Sequence, residues 1–176
     1  METYIKPPRT GIEAFELMPE GTLCQLINDN LIMSPAPSPD HQSVSGIIYE
    51  QISGFVRKNK LGKVFYSPID VYLNNTNVYQ PDIVFVSNDN LSIIDWKKGI
   101  MAAPDLVVEI LSKGNKNYDL NKKKPVYESC AVKEYWVVDP ETKWCEGFIL
   151  ENGTYKSSGE GNGQLTIHVF NLPVSF

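Results

Sequence analysis

Two carboxylates lie where carboxylates are costly. Glu109 interrupts the apolar run Leu106, Val107, Val108, Ile110, Leu111, and Asp82 sits at the head of another, PDIVFV. The first run is too short to span a membrane and too continuous for a half-exposed strand, so it reads as a strand buried on both faces. A lone carboxylate there costs several kcal/mol unless it is paired, protonated or bound to a cation. Asp82, on a second core strand, is the obvious companion. Close behind Glu109 come Lys113, Lys116, Lys122, Lys123 and Lys124, with Asp119 the single acid among them. Two acids on two core strands, followed by lysines, suggest a metal site for phosphate chemistry. The plainer reading of the lysines is a solvated loop and helix face.

Phosphodiester hydrolysis needs a nucleophilic water, neutralised charge at phosphorus and help for the leaving oxygen. Mg²⁺ held by carboxylates can supply all three. Because Mg²⁺ prefers oxygen ligands and keeps several waters, two or three protein ligands suffice. A different enzyme class would use the same two acids without metal, as general acid and base on a sugar or nucleotide.

The motifs Pro81-Asp82, VVEILS around Glu109, Asp119-x-x-x-Lys123-x-x-x-Tyr127 and EYWVVDP occur in that order. With LINDNLIMSPAPSPDHQSV and SPIDVYL, they resemble the Uma-two family, proteins classed as restriction endonucleases within the PD-(D/E)XK nuclease superfamily. The resemblance runs over roughly residues 10 to 172. It implies an α/β (α+β) fold with a restriction-endonuclease-like core, a central mixed β-sheet flanked by helices. It also implies a metal-dependent endonuclease acting on nucleic acid, DNA before RNA, with Mg²⁺ or Mn²⁺ as cofactor. By the same resemblance Asp82 and Glu109 hold the ion, with the Ile110 carbonyl a third ligand.

In the wider superfamily a lysine stands two residues after the second acid. Here that position is Leu111, and the resemblance puts Lys123 of the following helix in its place. Asp119, one turn earlier, would steady Lys123, and Tyr127, one turn later, would donate a hydrogen bond to the site. His41 stands where the family's histidine stands; its plainer role is a helix-start residue bonded to the preceding loop. Lys113, Lys116, Lys122 and Lys124 would contact phosphates. The family's members are often small dimers, which makes a homodimer an expectation. The competing expectation is a nuclease-fold protein without activity, serving as a binding or interaction module.

Several elements must position these residues. Residues 1–9 read as a flexible arm, and 10–176 as one domain. Thr10 with Glu13 has capping-box spacing for a short helix. TLCQLI and LIM flank Asn28-Asp29-Asn30 as a hairpin. From Asp40 the apolar residues Val44, Ile47, Ile48, Ile52, Phe55 and Val56 take helical spacing, with Ser38 or Asp40 as cap and Gly62 just past the end. KVFYS, IDVYL and PDIVFVS then read as a meander of antiparallel strands, and Trp96 as a packing residue. Pro125 is tolerated only near a helix start. Either the lysine helix kinks there or its regular part begins near Lys124, and a kink would turn Lys124 inward in place of Lys123. EYWVVD, WCEGFIL, TYKSS and LTIHVF close the sheet, with Asn152-Gly153 the clearest hairpin signal.

At 176 residues, 42% hydrophobic and 21% charged, the composition is that of an ordinary globular protein. The net charge of −5 argues against a generally basic, nucleic-acid-coating surface, though not against a local basic patch. Three cysteines without a C-x-x-C pair indicate neither a disulfide framework nor a cysteine zinc site. No signal-peptide core and no long apolar run is present, so the expectation is a cytoplasmic protein with no membrane contact.

Overall fold

The computed structural model describes residues 7–112 and 119–176 and, of Asp119, the backbone alone. The expected N-terminal arm lies almost wholly outside the described residues, as do Lys113 and Lys116.

The strands with the most continuous apolar sequence form the centre of a mixed sheet. Its order is β12 (Thr154–Asn162), β11 (Trp144–Glu151), β10 (Glu134–Val138), β9 (Leu106–Ile110), β6 (Ile83–Ser87) and β3 (Gly62–Tyr66). β9 and β10 run parallel and every other neighbour is antiparallel. All five residues of β9 and all five of β10 are buried. Side chains alternate across a strand, and the two faces of β9 meet different layers. Leu106, Val108 and Ile110 pack with Val44, Ile48, Ile52 and Val56 of the long helix α2 (Pro39–Asn59). Val107 and Leu111 pack instead with Tyr79, Tyr127 and Tyr135.

Helix α2 forms where the helical spacing begins. Ser38 caps it by accepting from the His41 N–H, and Pro39 occupies the first turn, where a missing N–H costs nothing. Its end differs from the expectation. Lys60, at φ 54°, takes the left-handed cap position, and Gly62 is already the first residue of β3.

A second six-stranded sheet lies against the opposite face of the first. Its order is β2 (Asn30–Met33), β1 (Cys24–Ile27), β5 (Asn77–Tyr79), β4 (Val71–Asn74), β8 (Gly99–Ile100) and β7 (Ile94–Asp95). Val71 and Ile100 of this sheet pack on Val84 and Val86 of β6. The mixed sheet and its helices agree with the expected fold class; the second sheet is an addition to it. The expected meander does not form. β3 pairs with β6 and β4 with β5, so the chain changes sheets at Ser67-Pro68. The β1–β2 hairpin turns at Asn28 and Asp29, both at positive φ, as a two-residue loop of the mirror-image type requires. A short helix α1 (Gly11–Glu16), capped by Thr10, packs beside β1.

Around Pro125 the helix is regular only from Lys124. A π-helical turn over Asp119–Lys123 leads into α3 (Lys124–Ser129), which places the proline in the first turn. LTIHVF does not close the main sheet. β13 (Gln164–Ile167) pairs with β14 (Leu172–Ser175) as a separate ribbon, and His168 stands in a 3₁₀ turn between them. No helix among the described residues is long and apolar enough to cross a membrane.

Candidate active site

The ends of the two core strands bring the acids together. Ile83 pairs with Val108 in the β6–β9 ladder, so the same register sets Asp82 against Glu109 one step further on. Glu109 is only 3% exposed and lies on the face of β9 shared with Val107 and Leu111. The partners that its burial demands come from the turn and helix that follow. Lys123 Nζ donates to Glu109 Oε1 at 2.9 Å, and the Tyr127 hydroxyl donates to the same oxygen at 2.7 Å. Lys123 is itself 5% exposed. The π-helical turn and α3 put Lys123 and Tyr127 four residues apart on one side, so both reach one carboxylate. Lys123 Nζ also lies 5.9 Å from the centre of the Tyr79 ring, and that ring meets Tyr127 edge-on.

Asp82 occupies the end of the sheet. Its Oδ2 accepts from the Ile110 N–H at 2.7 Å and lies 3.3 Å from His41 Nε2. The first turn of α2 therefore reaches the strand ends through His41, whose Nδ1 is buried without a hydrogen-bond partner. Burial pulls the His41 pKa down, but the hydrogen bond and charge of Asp82, the Ile110 carbonyl and the charge of Glu109 outweigh it and hold it above 6.5. For Tyr127, burial and the neighbouring Glu109 charge push the phenol well above its usual range, so it stays a neutral donor.

Asp82, Glu109, Ile110, Lys123 and His41 line a cavity of about 380 Å³. Of the other basic residues singled out, Lys124 turns away, its Nζ 3.5 Å from the centre of the Phe148 ring, and Lys122 is exposed. Leu111 is buried beside Tyr79 and Tyr127 and takes no part in the polar cluster. Among the described residues no three of His, Cys, Asp and Glu form a ready-made metal cluster. The donors on offer are two carboxylates and the Ile110 carbonyl. That all-oxygen set fits a hard cation that keeps much of its water.

Tyr79, Gln80 and Gln25 at this site had no sequence signal of their own. Gln25 Oε1 accepts from the Gln80 N–H at 3.1 Å, which joins β1 to the residue just before Pro81-Asp82. Position beside the Pro-Asp motif was the one available pointer to Gln80. Trp96 differs from expectation. It is 71% exposed, touching Phe65 edge-on, and is not a core packing residue.

The mixed sheet thus brings two acids to neighbouring strand ends, and Lys123 reaches back to one of them, Glu109. The family model described as "Uma2: Putative restriction endonuclease" matches residues 12–174. The chain belongs to that family. Its fold is similar to the crystal structure of "a putative nuclease belonging to DUF820" from Anabaena variabilis ATCC 29413. The TM-score is 0.77 at 18% identity, covering 96% of this chain and 95% of that one. No curated protein matches the chain.

Proposed function

We propose that the protein is a metal-dependent endonuclease that hydrolyses phosphodiester bonds of nucleic acid, DNA in the first instance, at the Asp82–Glu109–Lys123 cluster. The observation that carries this reading is the meeting of Lys123 with Glu109 in the cavity that Asp82 also lines. Asp82, Glu109 and the Ile110 carbonyl are the groups that would hold Mg²⁺ or Mn²⁺. A bound ion supplies an activated water and neutralises charge at phosphorus. The chain's own groups do the rest. Lys123 pairs with the buried Glu109 and presents a positive charge where phosphate oxygens gain charge in the transition state. Tyr127 fixes the carboxylate's orientation as a neutral donor. His41 fixes Asp82 from the other side, and the Ile110 N–H pins the same oxygen. The exposed Lys122 suits phosphate contact.

The test is incubation of the purified protein with labelled DNA and RNA panels in Mg²⁺, Mn²⁺ or EDTA. Cleavage products in either metal that vanish in EDTA are expected. Intact substrate under every condition would leave the fold serving as a binding module instead.

A further inference from the structure

Part of the cleft is apolar: besides the charged cluster it is lined by Ile32 of β2 with Pro35 and Pro37 beyond. All three are exposed. The β1–β2 register sets Ile32 beside Gln25, which also lines the cleft, and alternation turns the neighbouring Met33 to the Cys24 face. An occupant that uses both parts presents an anion to the charged cluster and a flat apolar group to Ile32 and the prolines. A duplex presents mainly phosphate and sugar, with its base faces hidden in the stack. An unpaired nucleotide presents both.

A second observation lies along the same line. Gln80 lines both this cleft and a shallower neighbour of about 230 Å³, whose wall includes Trp96. The Trp96 ring stands at the β7–β8 turn, propped edge-on against Phe65 with ring centres 6.3 Å apart, and is otherwise open to solvent. Glu20, Asp70 and Asp95 line that neighbour together with Lys97 and Lys98, so its charges are mixed and the exposed Trp96 ring is the feature that suits a base.

We propose that the protein takes single-stranded or locally unpaired nucleic acid, with one base against Ile32, Pro35 and Pro37 and an adjoining base stacked on Trp96. This deepens the nuclease reading and rests on it for the placement of the phosphate. The base contacts themselves do not require turnover.

The experiment compares one labelled DNA sequence as a single strand, a blunt duplex and a duplex with an internal bulge. Binding is read by fluorescence anisotropy with Ca²⁺ in place of Mg²⁺. The single strand and bulged duplex should bind at least about fivefold more tightly than the blunt duplex. Ile32→Ser and Trp96→Ala change exposed side chains, and circular dichroism should confirm that both fold. Each should weaken single-strand binding by about fivefold or more and leave duplex binding unchanged. Equal affinity for the blunt duplex, no effect of either variant, or no binding of any nucleic acid would overturn the proposal. Lys123→Ala, assayed for cleavage in parallel, separates the two readings. If it cleaves like wild type while Ile32→Ser and Trp96→Ala lose single-strand affinity, the assignment of the catalytic cluster fails and the base contacts stand.

Discussion

Lys123 Nζ lies 2.9 Å from Glu109 Oε1, and both side chains are buried. Both charges are largely withdrawn from solvent, so each stabilises the other. Removing one partner of such a pair leaves an uncompensated buried charge and costs roughly 3–5 kcal/mol. Lys123→Met should therefore destabilise the metal-free protein by that order in urea titration. Lys123→Met combined with Glu109→Gln should be less destabilised than the two single changes added together, because the second change removes the stranded charge. Strict additivity would mean that the pair contributes nothing as a pair.

Tyr127→Phe deletes one hydroxyl and keeps the ring. Its bond to an ionised Glu109 is worth about 1.5–3 kcal/mol, so unfolding should move by that amount while the aromatic packing on Tyr79 and Tyr135 holds. A stability unchanged from wild type in denaturant titration would show that the hydroxyl is satisfied equally well when unfolded.

His41 gives the metal-free protein a pH signature. Its folded pKa is raised above 6.5, chiefly because the attraction of Asp82 outweighs burial. A raised histidine contributes stability that is fully present below its unfolded pKa and lost as pH rises through its folded pKa. The stability gap between wild type and His41→Gln should thus be larger near pH 5.5 than near pH 8.5, in EDTA. A gap that widens toward alkaline pH would contradict the His41–Asp82 assignment.

Asp105 tests the frame that holds β9. It is buried, its Oδ2 accepts from the Ser87 N–H at 2.7 Å and its Oδ1 from Lys133 Nζ at 2.5 Å. Burial pushes its pKa up, but Lys133 and Ser87 prevail and hold it below 3.8. The stability it contributes is present above its ordinary pKa and lost as pH falls through its lowered one. Asp105→Asn should cost about 1–3 kcal/mol at pH 7 and progressively less below pH 3.8, measured by denaturant titration across that range.

The parts of this fold written in local pattern were legible. Helix α2 follows its apolar spacing, β9 and β10 their largely apolar runs, and the two tight hairpins their Asn-Asp and Asn-Gly pairs. Glu109 stood out because its cost of burial shows in the sequence. Partner choice was not legible. KVFYS and IDVYL alternate in the same way, yet β3 and β4 join different sheets, since alternation names a face and not a neighbour. Glu134 shows the same limit. It is fully buried, and its oxygens accept from Trp136 Nε1 and from the backbone N–H groups of His168 and Val169, more than thirty positions away. Nothing in EYWVVD marks those donors. Pro125 left open a kink or a helix start near Lys124, and only the π-helical turn before it decides that Lys123 faces Glu109 and Lys124 faces Phe148.

The measurement that bears most directly on the central claim pairs Mn²⁺ calorimetry with cleavage kinetics for Lys123→Ala, Lys122→Ala and Lys124→Ala. Lys123→Ala should still bind Mn²⁺ but lose about 10²–10³-fold in cleavage rate, the loss typical of removing one group that stabilises transition-state charge. Lys122→Ala should weaken substrate binding in a salt-dependent way with little effect on rate. Lys124→Ala, whose side chain rests on Phe148, should leave the rate near wild type. An unchanged rate in Lys123→Ala, or the same loss in all three, would contradict the assignment of Lys123.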